Sequence, residues 1–316
     1  MEIFDVYMSI GWGCRPAHQL RINGLRDETF PLDWMDAPLE ATIHLYETGF
    51  KDYFKSIKEE GEGDEKSRRV IDVDNRIISL HHFPKRKSLI KGHEQFLGMS
   101  EFIYDNLNAR LKKAENIFLL SYWTYPINDL EDFVIRFSKV YANKKILLVN
   151  VRNNNQLNAD TIIEESKIIT KDIKIIDYTI NDTYDENGKE YDWKGNNAAW
   201  KKILESYGNR RIYEVVQEYK NSDSPVIIYG AGQMCKTILG IFEKYSFKPD
   251  GIAVTKMEGN PEKICGIPVK EIDEFGLDSN IIISIKTKEI VKSIKCDLMN
   301  KGYKRIGVID KALIME

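Results

Sequence analysis

From residue 117 onward, short apolar and β-branched runs alternate with stretches of helical period. They are IFLLSYW (117–123), a helix from about Asp129 to Tyr141, KILLVNV (145–151), a helical run near 160–170, and IKIIDYT (173–179). This alternation predicts βαβ units and a parallel sheet. A further helix starts near Asn197 and runs to about Tyr219, followed by the polar segment KNSDSP closing on Pro225, a natural domain break. Beyond it VIIYGAGQMCKTILGIFEKY reads as strand, glycine turn and helix, with GIAVTK, NIIISI and KRIGVID as further strands. The expected fold class is α/β throughout. Residues 1–220 form an N-terminal α/β domain with a cysteine at a strand–helix junction, and residues 225–316 a small Rossmann-like parallel-sheet domain. A chain of 316 residues accommodates both.

Charge is nearly balanced, 46 Lys+Arg against 49 Asp+Glu, so no basic field draws the chain to nucleic acid or anionic lipid. There is no leader pattern and no apolar run of about 18 residues, so neither secretion nor a membrane span is expected, and a cytoplasmic location is. The four cysteines are scattered, without CxxC pairs or zinc spacing, which argues against a disulfide framework or a structural metal. Small-molecule or glycan-linked substrates fit this composition better than nucleic acid, and a homo-oligomer or a protein partner stays open.

In SIGWGCRPAHQLRINGLR, Gly11 and Gly13 permit a sharp turn, Pro16 suits the first turn of a helix, and Gly24 suits its end. Cys14 then sits at a helix N-terminus beyond an apolar strand. There the helix dipole and the Arg15 charge are expected to lower the thiol pKa, and the N–H groups around Gly13-Cys14-Arg15 to hold an oxyanion. A base is required within reach. His18 lies one turn along the helix. His81 and His82 lie in VIDVDNRIISLHHF, which reads as a hairpin with both histidines on its second strand. Strand neighbours point to opposite faces, so one of the two at most faces Cys14. Asp33-Trp34 precedes a helix capped by Asp36 and closed by Gly49, and Asp33 either orients a histidine or caps a turn. Arg15, Arg21 and Trp34 are the candidate substrate-binding side chains. The charged run 55–69, KSIKEEGEGDEKSRR, reads as a solvated loop.

The second glycine turn, Gly230-Ala231-Gly232, lets a phosphate approach the helix opened by Gln233. Cys235 replaces the third glycine of a dinucleotide fingerprint, and Thr255-Lys256 stands where the ribose-binding acid of an NAD site belongs, so NAD is not expected.

The order SIGxxC, QLRxNGLR, PLDWMDAPLE, GFKDYF and HHF resembles the family described as putative papain-like cysteine peptidases, found beside bacterial surface-polysaccharide genes, over about residues 6–205. The resemblance implies Cys14 as nucleophile, an SLHHF histidine as base and Asp33 as a further site residue, with Asp192 of YDWKG as a later orienting group. YGAGQMCKTIL with AVTKMEGNPEKICGIPV, over about 225–310, resembles the sugar-nucleotide-binding domain of sialic-acid-type and amino-sugar acyltransferases. That implies a nucleotide or nucleotide-sugar at Gly230, Gly232 and Gln233, with no cofactor required for the chemistry. The function expected is a thiol hydrolase or acyltransferase acting on an acyl or amide group in surface-polysaccharide synthesis. The alternative is a non-catalytic sugar-nucleotide or carbohydrate-binding scaffold.

Overall fold

The elements run β1 (Glu2–Phe4), β2 (Val6–Ser9), α1 (Arg15–Ile22), β3 (Met35–Asp36), α2 (Leu39–Thr48), β4 (Ile57–Glu59), β5 (Val70–Asp72), β6 (Ile78–Ser79), α3 (Leu89–Lys113), β7 (Asn116–Ser121), α4 (Ile127–Val140), β8 (Lys145–Asn153), β9 (Ile162–Thr170), β10 (Ile173–Ile180) and α5 (Asn197–Leu204). They continue with β11 (Tyr207–Asn209), α6 (Arg210–Lys220), β12 (Val226–Tyr229), α7 (Gln233–Lys244), β13 (Gly251–Val254), β14 (Lys263–Ile264), β15 (Ile267–Glu271), β16 (Asn280–Ile283), α8 (Lys288–Asn300) and β17 (Arg305–Val308). This computed structural model describes residues 1–26, 28–285 and 287–308. No helix among them is long and apolar enough to cross a membrane.

The fold is α/β, as the alternation predicts. The chain divides into two compact units, Met1–Arg21 with Thr29–Tyr207, and Ile22–Glu28 with Gly208 onward. The division falls before α6, whereas the sequence puts it near Pro225. Ile212 and Val216 of α6 bury against Val226, Ile228 and Phe242, so the helix groups with β12 and α7 in the second unit. Residues 22–28 join the same unit, where Asn209 donates to the Leu25 carbonyl (2.9 Å) and Lys244 to the Asn23 carbonyl (2.8 Å).

In the first unit a five-stranded sheet has the order β2-β7-β8-β10-β9. Strands β2, β7, β8 and β10 are mutually parallel, and β9 runs antiparallel at the edge. The stretch near 160–170, read from sequence as helical, is strand β9. Its paired isoleucines at each end favour the pleat, and it forms a hairpin with β10. The single helix read from Asn197 to Tyr219 is two helices, separated at Gly208-Asn209, with Asn209 capping the second through the Ile212 N–H. A second, antiparallel sheet, β3-β6-β5-β4, lies in the same unit.

In the second unit the sheet order is β14-β15-β13-β12-β16-β17, with β15, β13, β12, β16 and β17 parallel. The order reverses between β12 and β16, beside the carboxyl end where Gly230 turns the chain. Ile309 and Asp310 of the expected last strand, and the rest of the tail to residue 316, lie outside the described residues.

Candidate active site

Strand β2 ends at Ser9, and the chain must turn into α1 within a few residues. Gly11 takes φ +131°, and a Cβ there would stand 2.3 Å from the Trp123 indole, so only glycine passes. Trp123 is buried and donates its indole N–H to the Ala37 carbonyl (3.1 Å). Gly13 takes φ +88° and donates its N–H to the Met35 carbonyl (2.9 Å), tying the turn to β3. The Cys14 carbonyl accepts from the His18 N–H (3.1 Å) as α1 starts. The N–H groups of Cys14 and Arg15 have no acceptor among the described residues.

The candidate base lies just after the antiparallel sheet. Strands β5 and β6 pair through Val70 with Ser79 and Ile71 with Ile78, which is the hairpin the sequence predicts. Its turn is built on buried Asp72, whose carboxylate accepts from the N–H groups of Phe54 (2.7 Å), Asp74 (3.2 Å) and Asn75 (3.3 Å). Strand β6 stops at Ser79, however, so His81 and His82 sit in the bend after it and not on the strand.

The bend separates the two imidazoles. His81 is half exposed, and its Nε2 lies 3.4 Å from the Cys14 Sγ. His82 turns inward, its Nδ1 3.0 Å from the Ser79 hydroxyl and its ring edge-on to Phe96 at 5.6 Å. Burial pushes the His82 pKa down to about 4, with the His81 charge adding to the effect.

The other ring nitrogen of His81 faces a carboxylate that sequence reasoning missed. Asp64 Oδ2 stands 3.4 Å from His81 Nδ1. Asp64 belongs to the charged run read as a solvated loop. Its Oδ1 accepts from the N–H groups of Lys66 (2.7 Å) and Ser67 (2.5 Å), an Asx turn that fixes the side chain on an otherwise open loop. These backbone hydrogen bonds, first of all, hold its pKa below the usual carboxylate range. Nothing in the composition of KSIKEEGEGDEKSRR singles out this acid from its neighbours; the Asp-x-Lys-Ser spacing of the turn is the one local signal.

Asp33, the acid implied by resemblance, is placed elsewhere. It is 1 % exposed and accepts from the Ser9 hydroxyl and from the Phe30 N–H (2.7 Å), so it holds the 30–33 turn against the end of β2. Asp192 is likewise engaged in a turn, accepting from the Lys194 N–H (2.8 Å) and ammonium (2.9 Å). His18 is buried against Trp193 at 4.8 Å, with its Nδ1 3.1 Å from an Arg21 Nη. Burial first, then Arg21, pushes its pKa down to about 4, so it is a neutral packing group.

Three expectations about electrostatics are corrected. The Cys14 thiol pKa is pushed up to about 11, not lowered, because burial disfavours the thiolate and the Asp36 carboxylate repels it. Arg15 does not serve the thiolate. Its guanidinium bonds buried Asp182 (2.6 Å) and the Tyr122 hydroxyl (2.7 Å), and its Nε the Trp193 carbonyl (3.1 Å), at the carboxyl ends of β7 and β10. The Gly13 N–H is spent on Met35, so of the three N–H groups expected to hold an oxyanion it is already engaged. Asp36, expected to cap α2, instead forms β3, and α2 begins after Pro38 without a side-chain cap.

Arg21 and Trp34 meet each other, the guanidinium 5.7 Å from the indole centroid, and Trp34 stands 6.0 Å from Trp193. Trp34 holds φ +65°, a left-handed conformation unusual for a tryptophan. In the second unit Gly230 takes φ +111°, and a Cβ there would stand 2.8 Å from the Ser284 hydroxyl. Gly232 caps α7 with open space where its Cβ would be, and Gln233 opens the helix. Cys235, at the third-glycine position, is fully buried in that unit's core.

A family model described as putative papain-like cysteine peptidase matches residues 5–210. No curated protein and no solved structure matches the chain.

Proposed function

The chain belongs to the family described as putative papain-like cysteine peptidases, and from that premise we propose that its first unit is a cysteine-dependent hydrolase with Cys14 as nucleophile, His81 as base and Asp64 as the group that orients it. The observation that carries the reading is the chain of contacts Cys14 Sγ to His81 Nε2 (3.4 Å) and His81 Nδ1 to Asp64 Oδ2 (3.4 Å). An Nδ1–H held by Asp64 leaves Nε2 as the acceptor, the tautomer a general base needs.

The thiol is neutral at rest, so proton transfer accompanies attack. Cys14 Sγ bonds to the substrate carbonyl carbon as its proton passes to His81 Nε2. The carbonyl oxygen takes the electron pair and is met by the Cys14 and Arg15 N–H groups. Collapse expels the leaving amine or alcohol, which receives the proton from His81, and leaves a thioester on Cys14. Water activated by His81 then releases the acid. A sugar hydroxyl in place of water gives acyl transfer, so the two outcomes share every residue.

At the finer level the substrate is an acyl- or amide-bearing sugar precursor of surface polysaccharide, and the Rossmann-like second unit takes a nucleotide-sugar over Gly230, Gly232 and Gln233. Support comes from the reversal of strand order beside Gly230, the position where such sheets take ligands, and from the open approach at Gly232. Calorimetric titration with nucleotide-sugars checks this part, and silence across the common nucleotide bases sinks it.

The test of the chemistry is turnover of thioester and amide reporter substrates by four variants. Cys14→Ala is expected to abolish turnover and His81→Asn to reduce it roughly 10²–10⁴-fold. Asp64→Asn is expected to reduce it at least about tenfold, and His82→Asn to leave it near the parent rate. Equal loss at His81 and His82, or none at Cys14, removes the assignment.

A further inference from the structure

Strand β9 forms one edge of the five-stranded sheet, with β10 on its inner side. Its sequence IIEESKIIT places exposed isoleucines toward both ends, Ile163 at 49 % and Ile168 at 73 %. An edge of this length, with apolar side chains open to water, is a template for another strand. The middle of the strand is charged. Lys167 reaches Glu131 and Asn128 of α4, which identifies the face shared by Glu165 and Lys167. Glu165 is exposed on that face and has no ion pair among the described residues.

Two copies of one strand related by a twofold axis pair antiparallel. Directly opposed residues then present their hydrogen-bonding groups to the same gap, so both have the same parity in the sequence and the axis passes through a residue. Three central registers are open to the strand. An axis at Glu165 sets glutamate against glutamate, and an axis at Lys167 sets lysine against lysine; both are repulsive. An axis at Ser166 sets Glu165 against Lys167 twice, serine against serine, and Glu164 against Ile168 twice. Its ladder from Glu164 to Ile168 ends before the bulge opposite Ile173 and Lys174.

We propose that β9 is a homodimer edge, on which a second copy of this chain adds its own β9 about a twofold axis through Ser166 and continues the sheet across both copies. The charges that repel a foreign strand or a slipped register are matched in this one arrangement alone, so the same residues give affinity and selectivity.

Sedimentation equilibrium of the full chain tests it. The parent chain is expected to dimerise. Lys167→Glu and Glu165→Lys, each of which sets like charges face to face twice, are expected to weaken the dimer about tenfold or more. The double variant Glu165→Lys with Lys167→Glu is expected to restore it. Independently of these charges, Ser166→Cys is expected to form an interchain disulfide on mild oxidation, because opposed antiparallel residues stand about 4.5–5.5 Å apart at Cα, whereas Glu164→Cys is expected to crosslink no more than the parent. A chain that is monomeric at every concentration, a dimer indifferent to the single reversals, a double variant that stays as weak as either single, or equal crosslinking at 164 and 166 overturns the proposal. A dimer built by another surface, or a heterologous strand captured at β9, appears as one of these outcomes.

Discussion

At Cys14 two effects oppose each other, and burial wins. A helix N-terminus favours a thiolate by a modest amount and only within its first turn, while removal of the sulfur from water and the neighbouring Asp36 carboxylate push the pKa up to about 11. The helix start was legible from Gly13, Pro16 and the apolar strand before them. Asp36 was not, because its approach depends on β3 pairing with β6 through Met35–Ser79 and Asp36–Ile78, a long-range contact that no local pattern encodes. The same holds for Asp64, which becomes distinctive only once the hairpin brings His81 to it. Alkylation of Cys14 in the free enzyme is therefore expected to keep accelerating as pH rises toward about 11, with no plateau near the ordinary thiol value. Asp36→Asn removes one of the two causes and is expected to move the profile to lower pH. A stopped-flow alkylation series that levels off below the ordinary thiol pKa contradicts this account.

Elements with a one-sided physical signature were readable, and those decided by context were not. The buried stretches of β7 and β8 are dominated by the apolar runs Ile117–Leu120 and Ile146–Val149, β10 carries Ile175-Ile176 beside buried Asp177, and the structure has strands there. In β9 the burial pattern is that of an edge, mostly exposed, and its mixture of isoleucine with glutamate and lysine suits helix and strand alike until β10 supplies the ladder. The glycine turn before α1 belongs to the readable class, since two glycines so close leave little else. Its energetic content is now specific: in Gly11→Ala the new methyl meets the Trp123 indole at 2.3 Å in a left-handed backbone. A destabilisation of about 3 kcal/mol is expected from overpacking and backbone strain together. Denaturant unfolding measures it, and a loss of only a few tenths contradicts it.

Across the whole molecule, two histidines held neutral by burial contribute to the acid response, while burial raises the Asp36 and Asp182 carboxyls and works against them. His18 and His82 both have folded pKa values of about 4, below the ordinary 6.5. Between those values these two sites bind more protons in the unfolded chain than in the folded one, so their contribution to stability falls as pH falls and is fully regained above 6.5. Melting temperature is expected to drop across that window, and His82→Gln to flatten part of the drop; a melting temperature constant through the window contradicts it. The polar break KNSDSP was readable, and it lies inside the second unit. The transfer of residues 22–28 to the second unit was not, since it rests on side chains such as Asn209 and Lys244 reaching back to backbone carbonyls more than a hundred positions earlier.

Strand β3 is only two residues long, yet both partners of the thiol–imidazole contact hang from it. Gly13, one residue before Cys14, is bonded to Met35, and Met35 is paired with Ser79, two residues before His81. A thermal displacement of β3 carries sulfur and imidazole in the same direction, so the motion is common-mode. Their separation then fluctuates less than either position does, much as two lamps on one swinging rail keep their spacing while both sway.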